Sequence, residues 1–139
     1  MIKIKIDNIV PMPKLRHRSA IRNSKIILYT PSKTKEYEDV IKLYARNAIG
    51  NRLPLKCPLK MAITFCFLPP KSWSQKKKDE AIEGGVSHCS KPDLDNLIKA
   101  IKDALNNIVY EDDRLICKVK AFKKYANKNG IYIEVDKII

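Results

Sequence analysis

Alternating apolar and polar side chains mark four segments of the chain as β-strands with one buried face. Apolar residues occupy every second position in residues 2–6, 61–67, 115–121 and 131–135. A period of two places these side chains on one face of a strand. A shorter apolar run at residues 26–29 predicts a further short strand. Asn129 and Gly130 predict a hairpin turn between the last two long strands.

Two other segments repeat their apolar residues at helical spacing. The first helix is predicted to have Thr30 as its N-cap and Pro31 at its first position, and to run to about Ile49 before Gly50. Its predicted inner face is Tyr37, Val40, Ile41, Tyr44, Ala45 and Ala48. The second helix is predicted over residues 91–108. Its inner face is Leu94, Leu97, Ile98, Ile101, Leu105 and Ile108.

The order of these elements, β-β-α-β-α-β-β, predicts a single α+β domain over residues 1–139. We expect one mixed, mostly antiparallel sheet with both long helices packed on one face. Residues 10–25 contain two prolines and five basic residues without periodicity, which predicts an exposed basic loop. Residues 71–92 are interpreted as a basic, mobile insert that buries little, with a short helix possible from Ser74 to Ile82.

The net charge of +13 is the most unusual feature of the composition. Such a surplus attracts polyanions, although a lysine-rich solvated surface gives the same count. The candidates for DNA phosphate contact are Lys14, Arg16, Arg18, Arg22, Lys76, Lys77 and Lys78. Trp73 is a candidate for stacking on a base. For the three consecutive lysines, an ordinary solvated helix face is an equal alternative.

The sequence gives little support to membrane insertion or to cysteine chemistry. There is no apolar run of the length that a membrane span requires, and the start, MIKIKID, lacks the apolar block of a signal peptide. The cysteines are far apart and form no C-x-x-C pair: Cys57, Cys66, Cys89 and Cys117. Zinc or redox chemistry is therefore poorly supported, and Cys66 and Cys117 are expected to pack as small apolar residues. A cytoplasmic location is expected.

Acidic residues gather around the second predicted helix. Asp93 and Asp95 stand at its start, and residues in i,i+2 positions converge only if Asp93 precedes the regular helix. Pro92 favours this arrangement, because it disfavours helical geometry at the preceding residue. Ordinary capping is the alternative, since aspartate is a preferred N-cap. Glu111, Asp112 and Asp113 follow the helix, and one of the two aspartates is expected to reach its start. Convergent carboxylates predict a site for Mg²⁺ or Mn²⁺.

Lys99 lies one helical turn after Asp95. Its ammonium is either part of an i,i+4 ion pair, or it stabilises charge that develops on a phosphoryl group. The spacing alone does not choose between these interpretations. His17 and His88 lie in predicted loops, where isolated histidines are more often without a catalytic role.

The segment KPDLDNLIKAIKDALNNIVYEDDRLI resembles the RusA-type Holliday junction resolvases. Their hallmark is D-x-D-N-x-x-K on a helix, followed by an aspartate pair. The resemblance implies a RusA-like, homodimeric, Mg²⁺-dependent endonuclease that nicks two symmetry-related strands of a four-way DNA junction in recombination and repair. It implies Asp93, Asp95 and Asp113 as metal ligands, with Asp112 as the alternative third ligand, and Lys99 as the catalytic lysine. The family often has an asparagine in the early proline loop, where this chain reads PMPKLRHRS.

Two other functions compete with a junction resolvase. One is a metal-dependent nuclease that acts on flaps, hairpins or ordinary duplex DNA with the same acidic site. The other is a non-catalytic nucleic-acid-binding protein whose acids only cap a helix. The second alternative predicts DNA binding without metal-dependent cleavage.

Overall fold

The computed structural model describes residues 1–14, 18–22, 25–29 and 32–138, with side chains for 1–14 and 32–138. Its elements in chain order are β1 (Ile2–Asp7), β2 (Arg18–Arg22), β3 (Lys25–Tyr29), α1 (Ser32–Ile49), β4 (Leu59–Phe67), α2 (Gln75–Ile82), α3 (Leu94–Leu105), a 3₁₀ turn (Asp113–Leu115), β5 (Ile116–Tyr125) and β6 (Gly130–Lys137). The predicted α+β class is confirmed. The described residues contain one more strand than predicted, β2. They also contain α2, the short helix that the sequence pattern allowed.

A four-stranded mixed sheet with the strand order β1-β6-β4-β5 forms the centre of the fold. β6 runs antiparallel to both β1 and β4, whereas β4 and β5 are parallel, which confirms the predicted mixed, mostly antiparallel arrangement. The prediction of one sheet is wrong, because β2 and β3 form a second, two-stranded sheet. The predicted hairpin at Asn129 and Gly130 is wrong, because β4 lies between β5 and β6. The connection passes over the end of β4: the Asn129 side chain accepts a hydrogen bond from the Leu68 amide at 3.0 Å.

The predicted basic loop at residues 10–25 is wrong in part. Within it, β2 pairs with β3 in an antiparallel two-stranded sheet, with Arg18 opposite Tyr29 and Arg22 opposite Lys25. The segment RSAIR is too short and too polar to show a period of two, so its sequence alone is typical of a loop. Thr30 and Pro31, the predicted start of the first helix, lie outside the described residues, as do Arg16 and His17.

The core lies between one face of the four-stranded sheet and the two long helices, as predicted. α1 contacts β1 and α3, and α3 also contacts β5. The largest fully buried side chains come from both layers: Ile4, Ile6, Ile63, Phe65, Ile131 and Ile133 from the sheet, and Ile41, Leu97, Ile101 and Leu105 from the helices. The buried stripe of α1 is narrower than predicted, because Val40 and Tyr44 are 38% and 40% exposed.

The cysteine prediction holds for one residue and fails for the other. Cys66 is buried in β4, whereas Cys117 is exposed. The register between β4 and β5 shifts after Leu59, which pairs with Ile116, while Lys60 pairs with Lys118. Cys117 is therefore the extra residue of an irregularity on an edge strand and has no counterpart in β4 that would draw it into the core.

The segment between β4 and α3 buries more than predicted. α2 is the predicted short helix, with the Ser74 hydroxyl accepting a hydrogen bond from the Lys77 amide at 3.2 Å. His88 stacks on Phe67 with ring centroids 4.2 Å apart, and its ring lies 4.8 Å from that of Tyr125. These contacts attach the segment to the ends of β4 and β5. The mobility of residues 71–92 stays a prediction. Among the described helices, none has the length and apolar character needed to cross a bilayer.

The packing of His88 predicts that the fold loses stability in mild acid. Burial, with the nearby charge of Lys123, lowers the pKa of His88 below its ordinary value. The unfolded chain therefore binds this proton more readily, so stability is full above the unfolded pKa of about 6.5 and falls as the pH drops below it. Urea unfolding at pH 7.5 and pH 5.5 measures the loss. His88→Gln should lose less, and an equal loss in both proteins would contradict the prediction.

Candidate active site at the start of α3

Asp93 is the N-cap of α3, but its side chain does not act as a cap. Its backbone is extended, with φ −69° and ψ 142°, and its carbonyl accepts the first helical hydrogen bond from Leu97 at 3.1 Å. Within the described residues, its carboxylate makes no capping hydrogen bond. The prediction that Asp93 precedes the regular helix is confirmed. The carboxylate is thus not engaged by the helix amides that ordinary capping would use.

The turn that leads into α3 is attached to β5 by one lysine. The Lys123 ammonium donates to the carbonyl of Ser90 at 2.8 Å and to the carbonyl of Pro92 at 3.0 Å. These two bonds fix the backbone immediately before Asp93. Asp95 follows in the first turn of α3, and both aspartates are exposed to solvent. The sequence therefore places two carboxylates on a firmly held helix start.

The two aspartates after α3 have different local roles. Asp112 caps the 3₁₀ turn: its side chain accepts from the Arg114 amide at 2.9 Å, and its Oδ2 lies 3.5 Å from Nε of Arg114. The hydrogen bond from the Arg114 amide is the main reason why the pKa of Asp112 lies below its ordinary value. Asp113 is half-buried in the same turn. This difference favours Asp113 over Asp112 as a ligand, and that choice stays a prediction.

Tyr110 lies close to two acids, Asp103 of α3 and Asp113 of the 3₁₀ turn. Its ring is fully buried, and its hydroxyl donates to the Lys102 carbonyl in α3 at 2.7 Å. Burial, together with the negative charges of Asp113 and Asp103, raises its pKa, so the phenol is neutral at ordinary pH. The 3₁₀ turn carrying Asp113 also contacts α3. Asp113 therefore sits beside α3.

The side chains of the predicted metal ligands do not form a ligand group in this structure. Across residues 1–14 and 32–138, no three histidine, cysteine, aspartate or glutamate side chains are arranged to hold an ion. The donor chemistry does suit Mg²⁺, which prefers carboxylate oxygens and retains water ligands. Asp93, Asp95 and Asp113 also have no ion-pair partner within the described part of the chain. Their convergence on one ion stays a prediction that requires side-chain movement.

Lys99 pairs with an acid that the sequence interpretation did not use. Its ammonium lies 3.3 Å from Oδ1 of Asp103, one turn further along α3, and its side chain is 59% exposed. The ion pair therefore points away from the helix start and from Asp95. Pattern reasoning could have found it, since Lys99 and Asp103 stand in i,i+4 positions.

The candidates for DNA contact fall into three groups. The ammonium of Lys14 lies between Glu38 and Asp103, at 2.9 and 3.5 Å. Arg18 and Arg22 belong to β2, where the backbone alone is described, and Arg16 is outside the described residues. On α2, Lys76 and Lys77 are exposed and Lys78 is half-buried. DNA contact by any of them stays a prediction.

Trp73 is less available for base stacking than the sequence suggests. It is half-buried, its ring packs at 60° against that of Tyr125 with centroids 5.2 Å apart, and the Lys77 ammonium lies 4.0 Å from its ring centroid. Such a cation–π contact contributes about 0.5–1 kcal/mol at an exposed site. Stacking on a base would require Lys77 to move aside.

Sequence reasoning missed a row of lysines on the uncovered face of the sheet. Lys118 and Lys120 of β5 are exposed beside Lys60 and Ala62 of β4, and Lys124 follows on the same face. The alternation of lysine along β5 was visible in the sequence and was assigned only to the solvent side of a strand. This row adds positive charge to β5, the edge strand of the sheet. The same strand holds the start of α3 through Lys123.

Comparison with known proteins places this chain in a family. An α+β domain that carries exposed acids at a helix start within a strongly basic chain fits an enzyme acting on nucleic acid. The sequence model of the family described as endodeoxyribonuclease RusA matches residues 8–136. The chain therefore belongs to the RusA endodeoxyribonuclease family.

Two relatives support the assignment. The uncharacterized protein YqaN of Bacillus subtilis (strain 168) is 31% identical over 130 residues, which are 92% of this chain and 91% of that protein. The crossover junction endodeoxyribonuclease rusA of Lactococcus phage r1t is 34% identical over 84 residues. That match covers 58% of this chain and 56% of the phage protein.

The unused cap of α3 predicts that Asp93 contributes little to stability. Asp93→Ala should change the free energy of unfolding by less than about 0.5 kcal/mol, because no helix amide loses a partner. Ser74→Ala is the matched control, since the Ser74 hydroxyl does cap α2, and it should cost about 1 kcal/mol. Urea unfolding measures both. A loss in Asp93→Ala as large as that in Ser74→Ala would show that Asp93 is an ordinary cap.

Proposed function

We propose that this protein is a Mg²⁺-dependent endodeoxyribonuclease that resolves Holliday junctions by paired symmetric nicks in DNA recombination and repair. The observation that carries the proposal is the Asp93 carboxylate, which stands at the helix N-terminus without capping it. Membership of the RusA family and the phage relative named as a crossover junction endodeoxyribonuclease support the same activity. The active form is a homodimer in the cytoplasm.

Hydrolysis of a phosphodiester requires a deprotonated water and relief of charge on the phosphoryl oxygens. When bound, Mg²⁺, or Mn²⁺ in its place, would stabilise the deprotonated water and offset the negative charge on the phosphoryl oxygens. Asp93, Asp95 and Asp113 are the residues that would hold it, since their carboxylates suit a hard cation. Lys99 would stabilise negative charge that develops on the scissile phosphate, or orient the attacking water. The chain's own contribution would thus be to bring three acids and one cation to one phosphate, once their side chains move together.

Affinity for DNA would come from the basic surplus and not from the acidic site. A duplex or junction presents a dense row of phosphates, and lysines on exposed surfaces neutralise them with release of counterions. Lys76 and Lys77 on α2 are exposed. Lys118, Lys120 and Lys124 on β5 extend the basic surface across the uncovered face of the sheet. Arg18 and Arg22 of the β2–β3 hairpin remain further candidates.

Paired nicks require two active sites in one complex. A four-way junction yields ligatable duplexes only when two strands are cut symmetrically. Each chain carries one set of candidate acids, so two chains related by a two-fold axis supply both cuts. A protein that stays monomeric at working concentration would fit a simpler nicking enzyme.

One gel separates the junction resolvase from its competitors. A labelled four-way junction, a matched duplex and a flap are each incubated with Mg²⁺ or with EDTA. Paired symmetric nicks in the junction alone, only with Mg²⁺, are the expected result. Cleavage of the flap or duplex would favour a nuclease of different specificity. Binding without any cleavage would favour a non-catalytic nucleic-acid-binding protein.

Asp95→Asn should abolish cleavage and preserve DNA binding. The substitution removes a negative ligand from the site, so metal-dependent hydrolysis is lost while the basic surface is unchanged. Cleavage and junction affinity are measured on the same preparations. Asp79→Asn is the control, because Asp79 is an exposed acid on α2 that hydrogen-bonds only locally, to Gln75. Equal loss of binding and cleavage in a folded Asp95→Asn protein would count against the assignment.

Junction binding should weaken steeply with salt. If phosphate contacts dominate, the slope of log K against log salt is about −0.9 for each contacted phosphate. Lys76→Gln should make this slope shallower by about 0.9, the value for one contacted phosphate. It should weaken binding to all DNA sequences alike. Fluorescence anisotropy over a range of NaCl concentrations gives both slopes. A flat salt response in the wild-type protein would rule out phosphate contacts as the source of affinity.

A further inference from the structure

Asp103 joins two lysines beside the candidate site. Its Oδ1 lies 3.3 Å from the ammonium of Lys99, and its Oδ2 lies 3.5 Å from the ammonium of Lys14. Lys14 in turn pairs with Glu38 of α1 at 2.9 Å. The result is a chain of alternating charges, Glu38–Lys14–Asp103–Lys99, that runs from α1 to the proposed catalytic lysine.

The inner part of this chain of charges is well held. The side chains of Lys14, Glu38 and Asp103 are 27%, 17% and 23% exposed, compared with 59% for Lys99. The Lys14 amide also donates to the Asn96 carbonyl of α3 at 2.9 Å. Burial alone would lower the pKa of Lys14, but the hydrogen bond and charge of Glu38, with Asp103, raise it. Lys14 is therefore a charged anchor between the two helices.

This anchoring matters because Lys99 has two possible partners on its own helix. Long helical side chains lean toward the N-terminus, which for Lys99 is the direction of Asp95. An acid four residues before a lysine is also the favoured order for an ion pair. Lys99 nevertheless points to Asp103, four residues after it. An acid whose own position is fixed holds the lysine away from the helix start.

We propose that Asp103, fixed by Lys14 and Glu38, is a positioning residue that keeps the Lys99 ammonium away from Asp95. This arrangement leaves the Asp95 carboxylate available as a ligand and holds the lysine at one place beside the site. Its catalytic consequence rests on the proposed nuclease function. It also gives Lys14 a role inside the protein in place of a phosphate contact.

The kinetic test compares cleavage with binding in matched variants. Asp103→Asn should lower the single-turnover cleavage rate by about 10- to 100-fold, because misplacing a catalytic group by about 1 Å costs on this order. Its junction affinity and melting temperature should stay close to those of the wild type. Asp103→Glu should recover part of the rate, and Lys14→Gln should lower the rate as Asp103→Asn does. Asp79→Asn should leave it unchanged.

A second measurement needs no activity. The side-chain ammonium signal of Lys99 in a ¹⁵N NMR spectrum is assigned by its loss in Lys99→Gln. Asp103→Asn and Lys14→Gln should both shift this signal, whereas Asp79→Asn should not. If the wild-type protein does not cleave DNA, the nuclease proposal fails. The NMR result then still decides whether Asp103 holds Lys99.

Two outcomes would overturn the inference. A Lys99 signal that is the same in Asp103→Asn and in the wild type would show that Asp103 does not hold the lysine. A loss of junction affinity in Lys14→Gln that accounts for its whole loss of cleavage would show that Lys14 contacts phosphate. Either result can be obtained on a folded protein, as checked by its melting temperature.

Discussion

The rotational setting of α3 on the sheet is the constraint on which the candidate site depends. Leu97, Ile101 and Leu105 are fully buried, and each such side chain contributes about 1.5–3 kcal/mol by leaving water. Exposed ion pairs on the opposite side contribute only about 0.2–1 kcal/mol each. The apolar side of the helix therefore decides its orientation, and the charged side follows. Asp95 and Lys99 face solvent because the core leaves them no other direction.

The two ends of α3 are held by different interactions. At the start, Lys123 of β5 bonds two backbone carbonyls, so the position of Asp93 is fixed without using its carboxylate. Further along, Lys14 and Asp103 link α3 to α1 through charged groups that are mostly buried. A chain with a net charge of +13 thus uses some of its lysines inside the fold. Asp93 and Asp95, which the family resemblance assigns to the metal, remain exposed.

Local periodicity was sufficient to predict β1, β4, β6 and α3, and Pro92 indicated that Asp93 precedes the regular helix. It was not sufficient for pairing, which depends on contacts between distant segments. The sequences of β5 and β6 are typical of a hairpin, yet β4 separates them. β4 is the most buried strand of the four-stranded sheet and pairs on both sides, whereas β5 is mostly exposed and lies at the edge. The β2–β3 hairpin was missed for lack of a visible period. The i,i+4 spacing of Lys99 and Asp103 was visible, but the link from Asp103 to Lys14 was not, because the two residues are 89 positions apart along the chain.

The net charge predicts that DNA is attracted but does not say which lysines touch it. A lysine between two carboxylates gives up charge-assisted hydrogen bonds, each contributing about 1.5–3 kcal/mol, before it can bind a phosphate. Lys14 carries that cost, since its ammonium lies 2.9 Å from Glu38. Lys118 and Lys120 do not form such pairs within the described residues and stand exposed on the open face of the sheet. Phosphate contact is therefore more favourable for Lys118 and Lys120 than for Lys14, where the sequence first suggested it.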